Sequence, residues 1–304
     1  MTKKNILITG ASGLIGKRLT ELLLQKGHSV AHLGRSAKKG AIPSFVWNVE
    51  QQQMDANALT GIDTIIHLAG AGIADKRWTA QRKKEILDSR TQSTELLYKT
   101  LKHTANGVKH FISASAIGYY GFDLKGELFD EQSAPGTDYL ASVTQQWEAS
   151  IDKLNELSLR VAKLRIGIVL SDKGGALAPM VIPVKLFAGS PLASGEQMLS
   201  WIHIDDLCNM FIHLVENESL QGAYNGTGPY AVSNKDFTKA IGKQLSRPVF
   251  LPNVPAFLLK LILGEMADLI IFGSNVSSKK IQDTGFQFQY QTLEASLSNL
   301  LNNK

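Results

Sequence analysis

The sequence predicts an α/β protein: a doubly wound parallel sheet flanked by helices, with a small, mainly helical C-terminal lobe. Three observations carry this prediction. The chain opens with a buried-strand pattern over Lys3–Thr9, a glycine-rich turn, and helically spaced leucines from Lys17 to Lys26. Similar strand and helix patterns alternate as far as Leu170, and parallel strands need such crossover helices. Beyond Ser171 glycines and prolines interrupt the pattern, which indicates the C-terminal lobe.

The remaining elements follow in order along the chain. Further strands are predicted at Ser29–Leu33, Phe45–Trp47, Asp63–Gly70, Val108–Ser115, Arg160–Leu170 and Ala223–Gly226. Helical segments are predicted at Asn57–Leu59, Thr79–His103, Asp138–Leu157, from Trp201–Leu207 to Glu216, from Ser233 onward and over Pro252–Gly273. Asp205 or Asp206 could cap the helix that ends near Glu216. We place the boundary of the large domain at residue 222, which leaves residues 223–304 as the lobe.

Composition excludes several classes of function. The 304 residues carry a formal charge of +5 with no basic run, so we expect no nucleic-acid partner. The single cysteine, Cys208, rules out an internal disulfide and reads as a buried thiol. No cluster of His, Asp and Glu has metal-ligand spacing, so we expect no metal. The first strand leaves no room for a signal peptide, and the apolar stretch 256–272 contains charges, so we expect a cytoplasmic protein without a membrane partner.

The glycine turn predicts a dinucleotide site. Gly10, Gly13 and Gly16 lie between the first strand and the first helix. In such turns one glycine permits the tight bend, one the close approach of a pyrophosphate, and one the packing of helix on strand. The free N–H groups at the helix N-terminus then face the phosphates. The alternative is a glycine-rich turn that binds nothing.

The end of the second strand favours NADP(H) over NAD(H). An acidic residue here pairs with the ribose hydroxyls of NAD, whereas an Arg accommodates the 2′-phosphate of NADP. No Asp or Glu occurs between Gly27 and Ser44, and Gly34-Arg35-Ser36 ends the strand. A guanidinium can hold a phosphate through two parallel hydrogen bonds. The alternative is a solvated basic loop.

Several motifs resemble one family when taken in order. Ser113–Gly121 resembles the serine-containing strand end of extended short-chain dehydrogenase/reductases of the nucleotide-sugar epimerase and dehydratase group. The chain is more narrowly similar to the atypical, YfcH-like epimerase family with its small C-terminal domain. The segments that carry this likeness are Ser113–Gly121, Trp147-Glu148, Leu164–Leu170, Trp201–Leu207, Tyr224–Thr227, Pro255–Phe257, Leu263–Glu265 and Gly285–Phe288.

The resemblance implies a Rossmann domain that binds NADP(H), a lobe that closes the substrate cleft, and a nucleotide-sugar or small carbonyl or hydroxyl substrate. It assigns cofactor contacts to Gly10, Ser12, Gly13, Leu14, Ile15, Gly16, Gly34, Arg35, Ser36, Leu68, Ala69, Gly70, Glu85, Arg90 and Ser113. Glu85 and Arg90 could equally be solvated helix charges. Family members often dimerise through the two helices that correspond to 79–103 and 138–157. The resemblance therefore points to a homodimer through these helices, while the sequence itself leaves the oligomeric state open.

The catalytic residues depart from the superfamily pattern. Short-chain reductases use a Ser, a Tyr as proton donor, and a Lys that lowers the pKa of the phenol. The resemblance places Ser115 and Tyr139 in the first two roles, but Val143 stands where the Lys is expected. Tyr119 and Tyr120, at the end of the serine-containing strand, are alternative acids. Lys163 or Arg165 could supply the missing charge. Otherwise the chain is a slow enzyme, or a regulatory protein that binds NADP(H) without fast chemistry.

Overall fold

A computed structural model describes residues 2–37, 39–123 and 126–302. Its main sheet has eight strands in the order β13-β8-β6-β5-β1-β2-β3-β4, parallel throughout except for the β3–β4 pair. The chain therefore runs outward from β1 in both directions, which confirms the predicted doubly wound sheet. The strands are β1 (Asn5–Thr9), β2 (Ser29–Gly34), β3 (Ser44–Asn48), β4 (Gln53–Met54), β5 (Thr64–His67), β6 (His110–Ala116), β7 (Leu128–Phe129), β8 (Arg160–Ile166), β9 (Ile168–Ser171), β10 (Gly174–Gly175), β11 (Met198–Leu199), β12 (Trp201–His203), β13 (Gly222–Gly226), β14 (Val232–Ser233) and β15 (Asn275–Val276).

The helices cover both faces of this sheet. They are α1 (Leu14–Gln25), α2 (Ala80–His103), α3 (Tyr139–Asp152), α4 (Leu177–Lys185), α5 (Ile204–Glu216), α6 (Asn234–Gln244), α7 (Ala256–Leu263), α8 (Asp268–Ile271), α9 (Lys279–Asp283) and α10 (Leu293–Asn302), with 3-10 turns at Ala56–Leu59, Ile117–Tyr120, Lys153–Leu157 and Gly264–Ala267. α1 packs with α5, and α2 packs with α3. Right-handed crossovers that leave β1 in opposite directions put these two pairs on opposite faces. The homodimer predicted through α2 and α3 stays a prediction.

The core of the large domain lies between the sheet and these helices. Ile6, Leu7 and Ile8 of β1 are fully buried, as are Ile65 and Ile66 of β5. Such continuous apolar runs are typical of parallel strands covered on both faces. Cys208 is buried in the same core, so the expectation of a packed core thiol is confirmed, and burial raises the pKa of this thiol. Among the described helices, none is long and apolar enough to cross a bilayer.

The prediction of one continuous strand over 160–170 is wrong. It divides at Gly167 into β8, which belongs to the main sheet, and β9, which pairs with β12 and β10 in a separate three-stranded sheet. A Cβ at Gly167 would lie 2.3 Å from the carbonyl oxygen of Ser200. The glycine therefore permits the close backbone approach at which the chain leaves the main sheet.

Two helix predictions also need correction. The helical stretch predicted over 252–273 is interrupted at Gly264, whose φ of +63° ends α7. α5 is capped by His203, whose side chain accepts a hydrogen bond from the backbone N–H of Asp205, and neither aspartate caps it. Asp205 instead forms an ion pair with Arg18 of α1.

The helices of the C-terminal lobe share a second apolar core with α4 of the large domain, so the lobe is joined to that domain through its own core. Leu177 and Val184 of α4 pack with Phe237 of α6 and Leu297 of α10. β13 extends the main sheet by pairing with β8, so the predicted boundary at residue 222 coincides with the start of a strand of the large sheet. The Asp206 carboxylate accepts hydrogen bonds from the backbone N–H groups of residues 289 and 290, which fastens the lobe to α5.

Candidate dinucleotide and catalytic site

The candidate site lies at the carboxyl ends of β1, β2, β5 and β6. The strand order reverses between β1 and β5, and ligands of open α/β sheets bind at such a switch point. The loops that follow these strands carry most of the residues predicted as cofactor contacts.

The three glycines of the first turn have three different surroundings. Gly10 has a φ of +68°, and a Cβ there would lie 2.8 Å from the backbone of Leu68. A Cβ at Gly16 would lie 2.5 Å from the carbonyl oxygen of Gly10, so this glycine is needed for packing. Gly13 is exposed, and a Cβ there would meet only the Gly10 oxygen, at 3.3 Å. Space is therefore open in front of Gly13, as the approach of a phosphate requires.

The N-terminus of α1 is left free for an anion. Gly13 is its N-cap and offers no side chain, and no acidic residue occurs in the first turn. The first backbone N–H groups of a helix have no partner within the helix, and they carry the positive end of its dipole. Ser12 is exposed beside them, while Leu14 and Ile15 are half-buried.

Arg35 and Ser36 follow β2 and are both exposed. Within the described ranges, the Arg35 guanidinium forms no hydrogen bond or ion pair with another residue. Gly34, the last residue of β2, is half-buried. A guanidinium at this strand end is therefore free to bind a ligand.

A buried network that the sequence reasoning missed holds the end of β5. Thr9 Oγ1 accepts the backbone N–H groups of Leu68 and Ala69 at 3.1 and 3.2 Å, and contacts His67 Nδ1 at 2.7 Å. His67 Nε2 lies 3.2 Å from Ser93 Oγ on α2. Burial lowers the pKa of His67 to about 3, so the ring is neutral and ties β1, β5 and α2 together. The one sequence feature that indicates this network is the presence of a polar residue, Thr9 or His67, at the end of each of two apolar strands.

Arg90 lies beneath the loop after β5. Its Nη1 donates to the carbonyl oxygen of Ala71 at 3.0 Å, and a Cβ at Gly70 would lie 3.3 Å from its side chain. Burial, with a smaller contribution from the charge of Arg82, lowers the pKa of Arg90 to about 10. Arg90 is therefore a charged group built into the site, and the alternative of a solvated helix charge is wrong for it.

Glu85 is turned toward solvent. Its carboxylate pairs with Arg82 at 2.7 Å, and the hydrogen bond from Arg82 lowers the pKa of Glu85. Arg82 itself is buried and donates to the carbonyl oxygen of Gly72. The solvated-charge alternative therefore describes Glu85 better than it describes Arg90.

Ser115 is buried and bonded to a second group that the sequence reasoning did not assign. Its hydroxyl donates to Glu148 Oε1 of α3 at 2.6 Å. Arg165 Nε and Nη2 donate to the two oxygens of Glu148 at 2.8 and 2.9 Å, and Arg165 Nη1 donates to the Tyr120 hydroxyl at 3.0 Å. Ser113 donates to the carbonyl oxygen of Ala114. The sequence contains one feature from which this buried group could have been found. In Trp147-Glu148 an acidic residue lies among the apolar positions of a helix.

The Glu148–Arg165 pair is ionised although it is buried. Burial would raise the pKa of Glu148, but the hydrogen bonds and charge of Arg165, with the charge of Lys163, lower it below its ordinary value. Lys163 Nζ lies 3.4 Å from Glu148 and 2.7 Å from Asp152. Both cations considered as substitutes for the missing Lys are thus held by carboxylates of α3.

Tyr139 begins α3 and faces the loop after β5. Its ring packs edge-on against Trp78 at a centroid distance of 5.0 Å, and its hydroxyl donates to the carbonyl oxygen of Lys83 at 3.1 Å. Burial raises the pKa of Tyr139, while the charges of Arg90 and Arg82 lower it in part. Val143, one turn further, is buried and supplies no charge.

Tyr119 offers a second phenol at the end of β6. It is half-buried, and the guanidinium carbon of Arg165 lies 3.5 Å from its ring centroid. The two phenols therefore have different cations beside them, Arg90 for Tyr139 and Arg165 for Tyr119. Among the described residues, no three His, Cys, Asp or Glu side chains converge as a metal site would require.

The fold and the glycine turn together define a dinucleotide-binding protein of the extended short-chain dehydrogenase/reductase type. Residues 6–225 match the NAD dependent epimerase/dehydratase family, and residues 254–300 match a domain of unknown function, DUF1731. The chain belongs to this epimerase/dehydratase family, which confirms the resemblance drawn from its motifs.

The chain is also similar to individual relatives along almost its whole length. It is 37% identical to a chloroplastic homologue of the epimerase family protein SDR39U1 from Arabidopsis thaliana, over 97% of this chain and 86% of that protein. It is 36% identical to the epimerase family protein YfhF of Bacillus subtilis, over 98% of each.

Solved structures show the same fold. The human epimerase family protein SDR39U1, crystallised with NADPH, has a TM-score of 0.88 and 29% identity, covering 99% of this chain and 100% of that one. A UDP-glucose 4-epimerase from Thermus thermophilus, in complex with NAD, has a TM-score of 0.74 and 18% identity, with 98% of each chain covered. The second likeness concerns the fold alone.

Proposed function

We propose that this protein binds NADP(H) and uses it to epimerise, dehydrate or reduce a small substrate at a carbon that carries a hydroxyl or carbonyl group. The open space before Gly13, at the uncapped N-terminus of α1, carries this proposal. A nicotinamide cofactor bound there supplies or accepts a hydride. The NADPH in the crystal structure of the human relative supports the same cofactor for this chain.

The residues of the cradle suit the parts of such a dinucleotide. The backbone from Gly13 to Gly16 receives the pyrophosphate, and Arg35 with Ser36 receives the 2′-phosphate. Leu68, Ala69 and Gly70 form the floor beyond, held by the Thr9–His67 network and by Arg90.

Tyr139 is the proton donor that this proposal favours. Its phenol is protonated at neutral pH, and Arg90 supplies the positive charge that a Lys supplies in the superfamily pattern. Because burial of the ring outweighs that charge, the phenol is a weaker acid than usual, and turnover should be slow. Ser115 acts only if its hydroxyl leaves Glu148.

The alternative is a regulatory protein that binds NADP(H) without fast chemistry. Two observations favour it: Val143 is buried where a Lys would be expected, and the Ser115 hydroxyl is bonded to Glu148. A turnover that Tyr139→Phe abolishes while NADPH still binds would exclude this alternative.

The test of cofactor choice is a titration with NADPH and with NADH, followed by nicotinamide fluorescence at fixed salt. Arg35→Ala should weaken NADPH binding by on the order of tenfold or more, at least about 1.4 kcal/mol, and leave NADH binding unchanged. Lys39→Ala, which removes an exposed cation from the same loop, is the matched control and should have little effect.

Two results would contradict the assignment. Equal losses for both cofactors in Arg35→Ala would show that Arg35 does not bind the 2′-phosphate. Absence of binding for either cofactor to the unaltered protein would show that the glycine turn is structural.

A further inference from the structure

We propose that this protein binds the surface of an anionic lipid bilayer. The surface that binds, the docking face, consists of residues 182–187 at the end of α4, residues 235–247 of α6 and the turn after it, and residues 250–262 of α7 and the loop before it. The proposed function does not use this face. From the sequence we expected no membrane partner, because the stretch 256–272 contains charges and is too short to span a bilayer. A protein that lies on a bilayer needs no spanning segment, only exposed apolar side chains beside cations.

α7 exposes large apolar side chains to solvent. Phe257 and Leu261 are each 73% exposed, and Ile262 is 61% exposed. Phe257 and Leu261 are four residues apart, as are Leu258 and Ile262, so each pair is adjacent on the outer side of the helix. The opposite side packs into the molecule through Leu259. A helix that is apolar all round is ordinarily covered on all sides, and the outer side of α7 lacks its cover.

Exposed apolar side chains continue from α7 to the end of α4. Leu186 and Phe187, just after α4, are 72% and 52% exposed, and Phe250 in the loop before α7 is 70% exposed. The two segments run side by side, because the backbone N–H of Val254 donates to the carbonyl oxygen of Pro191 at 2.9 Å. Apolar side chains exposed on adjoining segments mark an interaction surface.

α6 carries a row of lysines along the same region. Lys235, Lys239 and Lys243 are exposed and lie four residues apart, so they share one side of the helix. Within the described part of the chain, their ammonium groups have no hydrogen-bond or ion-pair partner. The row continues to Arg247, whose guanidinium carbon lies 4.5 Å from the centroid of the Phe187 ring. The cations therefore adjoin the exposed apolar side chains.

Positive charge dominates these segments. Residues 177–195 and 233–262 contain one acid, Asp236, and six cations, which are Lys185, Lys235, Lys239, Lys243, Arg247 and Lys260. Glu196 and Asp268 flank the two stretches, and Asp268 pairs with Lys260 at 3.5 Å. With both flanking acids included, six cations stand against three acids. This surplus complements the negative surface potential of a bilayer that contains anionic lipids.

The composition of the docking face favours a bilayer over a protein partner. Five of its six cations are lysines, a residue type that is depleted at protein–protein interfaces, where Arg and aromatic residues are enriched. A second copy related by a two-fold axis would place the same lysines opposite one another. A bilayer instead takes apolar side chains into the boundary of its acyl region, while its headgroups neutralise the cations.

The test is co-sedimentation of the full chain with vesicles of phosphatidylcholine, and with vesicles of phosphatidylcholine and phosphatidylglycerol in equimolar mixture. We expect binding to the mixed vesicles that weakens as salt is added, and little binding to the neutral vesicles. Lys239→Glu combined with Lys243→Glu should weaken binding by on the order of twentyfold or more, since each basic residue near such a surface contributes about fivefold.

The matched control for this charge reversal is Lys3→Glu combined with Lys109→Glu. Both lysines are exposed, and they precede β1 and β6, away from the docking face. The control has the same net charge as the test variant and should bind the mixed vesicles nearly as well as the unaltered protein.

The apolar part of the face is tested by Phe257→Ser combined with Leu261→Ser. Both side chains are already exposed, so the fold should be retained, which circular dichroism verifies. Binding to the mixed vesicles should weaken at least about tenfold, because two large apolar side chains no longer enter the bilayer. Leu24→Ser, at an exposed leucine of α1, should bind as the unaltered protein does.

Equal binding to neutral and mixed vesicles, no binding to either, or test variants that bind like their controls would overturn the proposal. A dimer that Phe257→Ser with Leu261→Ser dissociates in sedimentation velocity, without vesicle binding, would assign the face to a second copy and also overturn it. NADPH titration of the same preparations keeps the proposed function separate, because neither result depends on the other.

Discussion

The half of the candidate site proposed to bind the cofactor (the cofactor half) and the half proposed to transfer the proton (the proton-transfer half) are built from different groups. The cofactor half consists mostly of backbone: the turn at Gly10–Gly16, the N-terminus of α1, and a loop floor held by the neutral Thr9 and His67. Its charged side chains are Arg35 at the end of β2 and Arg90 beneath the floor. The proton-transfer half consists of charged side chains, with Glu148 and Arg165 at its centre.

This difference explains why one half follows the superfamily pattern and the other does not. A backbone cradle depends on a few glycines, and almost any other residue there would obstruct it. A charged cluster can be rearranged as long as each buried charge keeps a partner. In this chain Arg90 and Arg165 lie beside the two candidate phenols, and the position of the usual Lys has become part of the apolar core.

The largest expected effect concerns the charged half. Glu148→Gln removes the counter-charge of the buried Arg165 guanidinium, and we expect a loss of about 3–5 kcal/mol in the free energy of unfolding, measured by urea denaturation. Glu95→Gln is the matched control: Glu95 pairs with Lys153 at the surface, and such pairs contribute about 0–1 kcal/mol.

The pH dependence of this variant gives a second readout. The pKa of Glu148 is lower in the folded protein than its ordinary value of 4.5. Its contribution to stability is therefore present above that ordinary value and is lost as the pH falls through the folded-state pKa. Glu148→Gln should lack this acid-side loss. A variant as stable as the unaltered protein would show that the ion pair is dispensable.

The next effect concerns the cofactor half. Gly13→Leu should weaken NADPH binding at least about a hundredfold, or about 2.7 kcal/mol, because its side chain would fill the space before the helix N-terminus. The melting temperature should fall only modestly, since the backbone at Gly13 is ordinary and a Cβ would press on one atom, the Gly10 carbonyl oxygen at 3.3 Å. Gly107→Leu, at an exposed glycine where a Cβ would meet only the Ile62 carbonyl oxygen at 3.6 Å, should bind NADPH normally. Retained binding in Gly13→Leu would refute the cradle.

The smallest expected effect is the loss of stability at acid pH that comes from His67. Burial lowers the pKa of His67 from 6.5 to about 3, so between these pH values the imidazole is protonated in the unfolded chain and neutral in the folded protein. Stability from this group is complete above pH 6.5 and falls by roughly 1.4 kcal/mol per pH unit below it, about 2 kcal/mol by pH 5. As the pH falls, the stabilisation that depends on neutral His67 should therefore be lost at a higher pH than the stabilisation that depends on ionised Glu148.

His67→Gln tests this expectation by chemical denaturation across the same pH range. In the variant, the free energy of unfolding should fall less steeply with decreasing pH, by about the amount that one proton contributes. The remaining slope persists because burial also lowers the pKa of His110, His203 and His213. A slope identical to that of the unaltered protein would show that His67 takes up its proton without disturbing the fold.

Most of the fold could be predicted because its signals are local. The apolar strands, the helical leucines and the glycine turn each identify an element within a short stretch of chain. The predictions that were wrong depend on distant contacts or on the residue at which an element begins. Gly167 divides a strand because it approaches Ser200. His203 rather than an aspartate caps α5 because the helix begins at Ile204, which places both aspartates inside its first turn.

The sequence by itself determined the doubly wound sheet, the glycine cradle at the first helix and the basic residue at the end of β2, since spacing along the chain defines these features. Only the tertiary structure decided which side chains meet at the site: Ser115 with Glu148, Tyr139 with Trp78, and Glu265 with Lys83 of α2. The physical reason is that buried charges and aromatic rings contact whichever groups the fold brings next to them, and the spacing of residues along the chain does not define these neighbours.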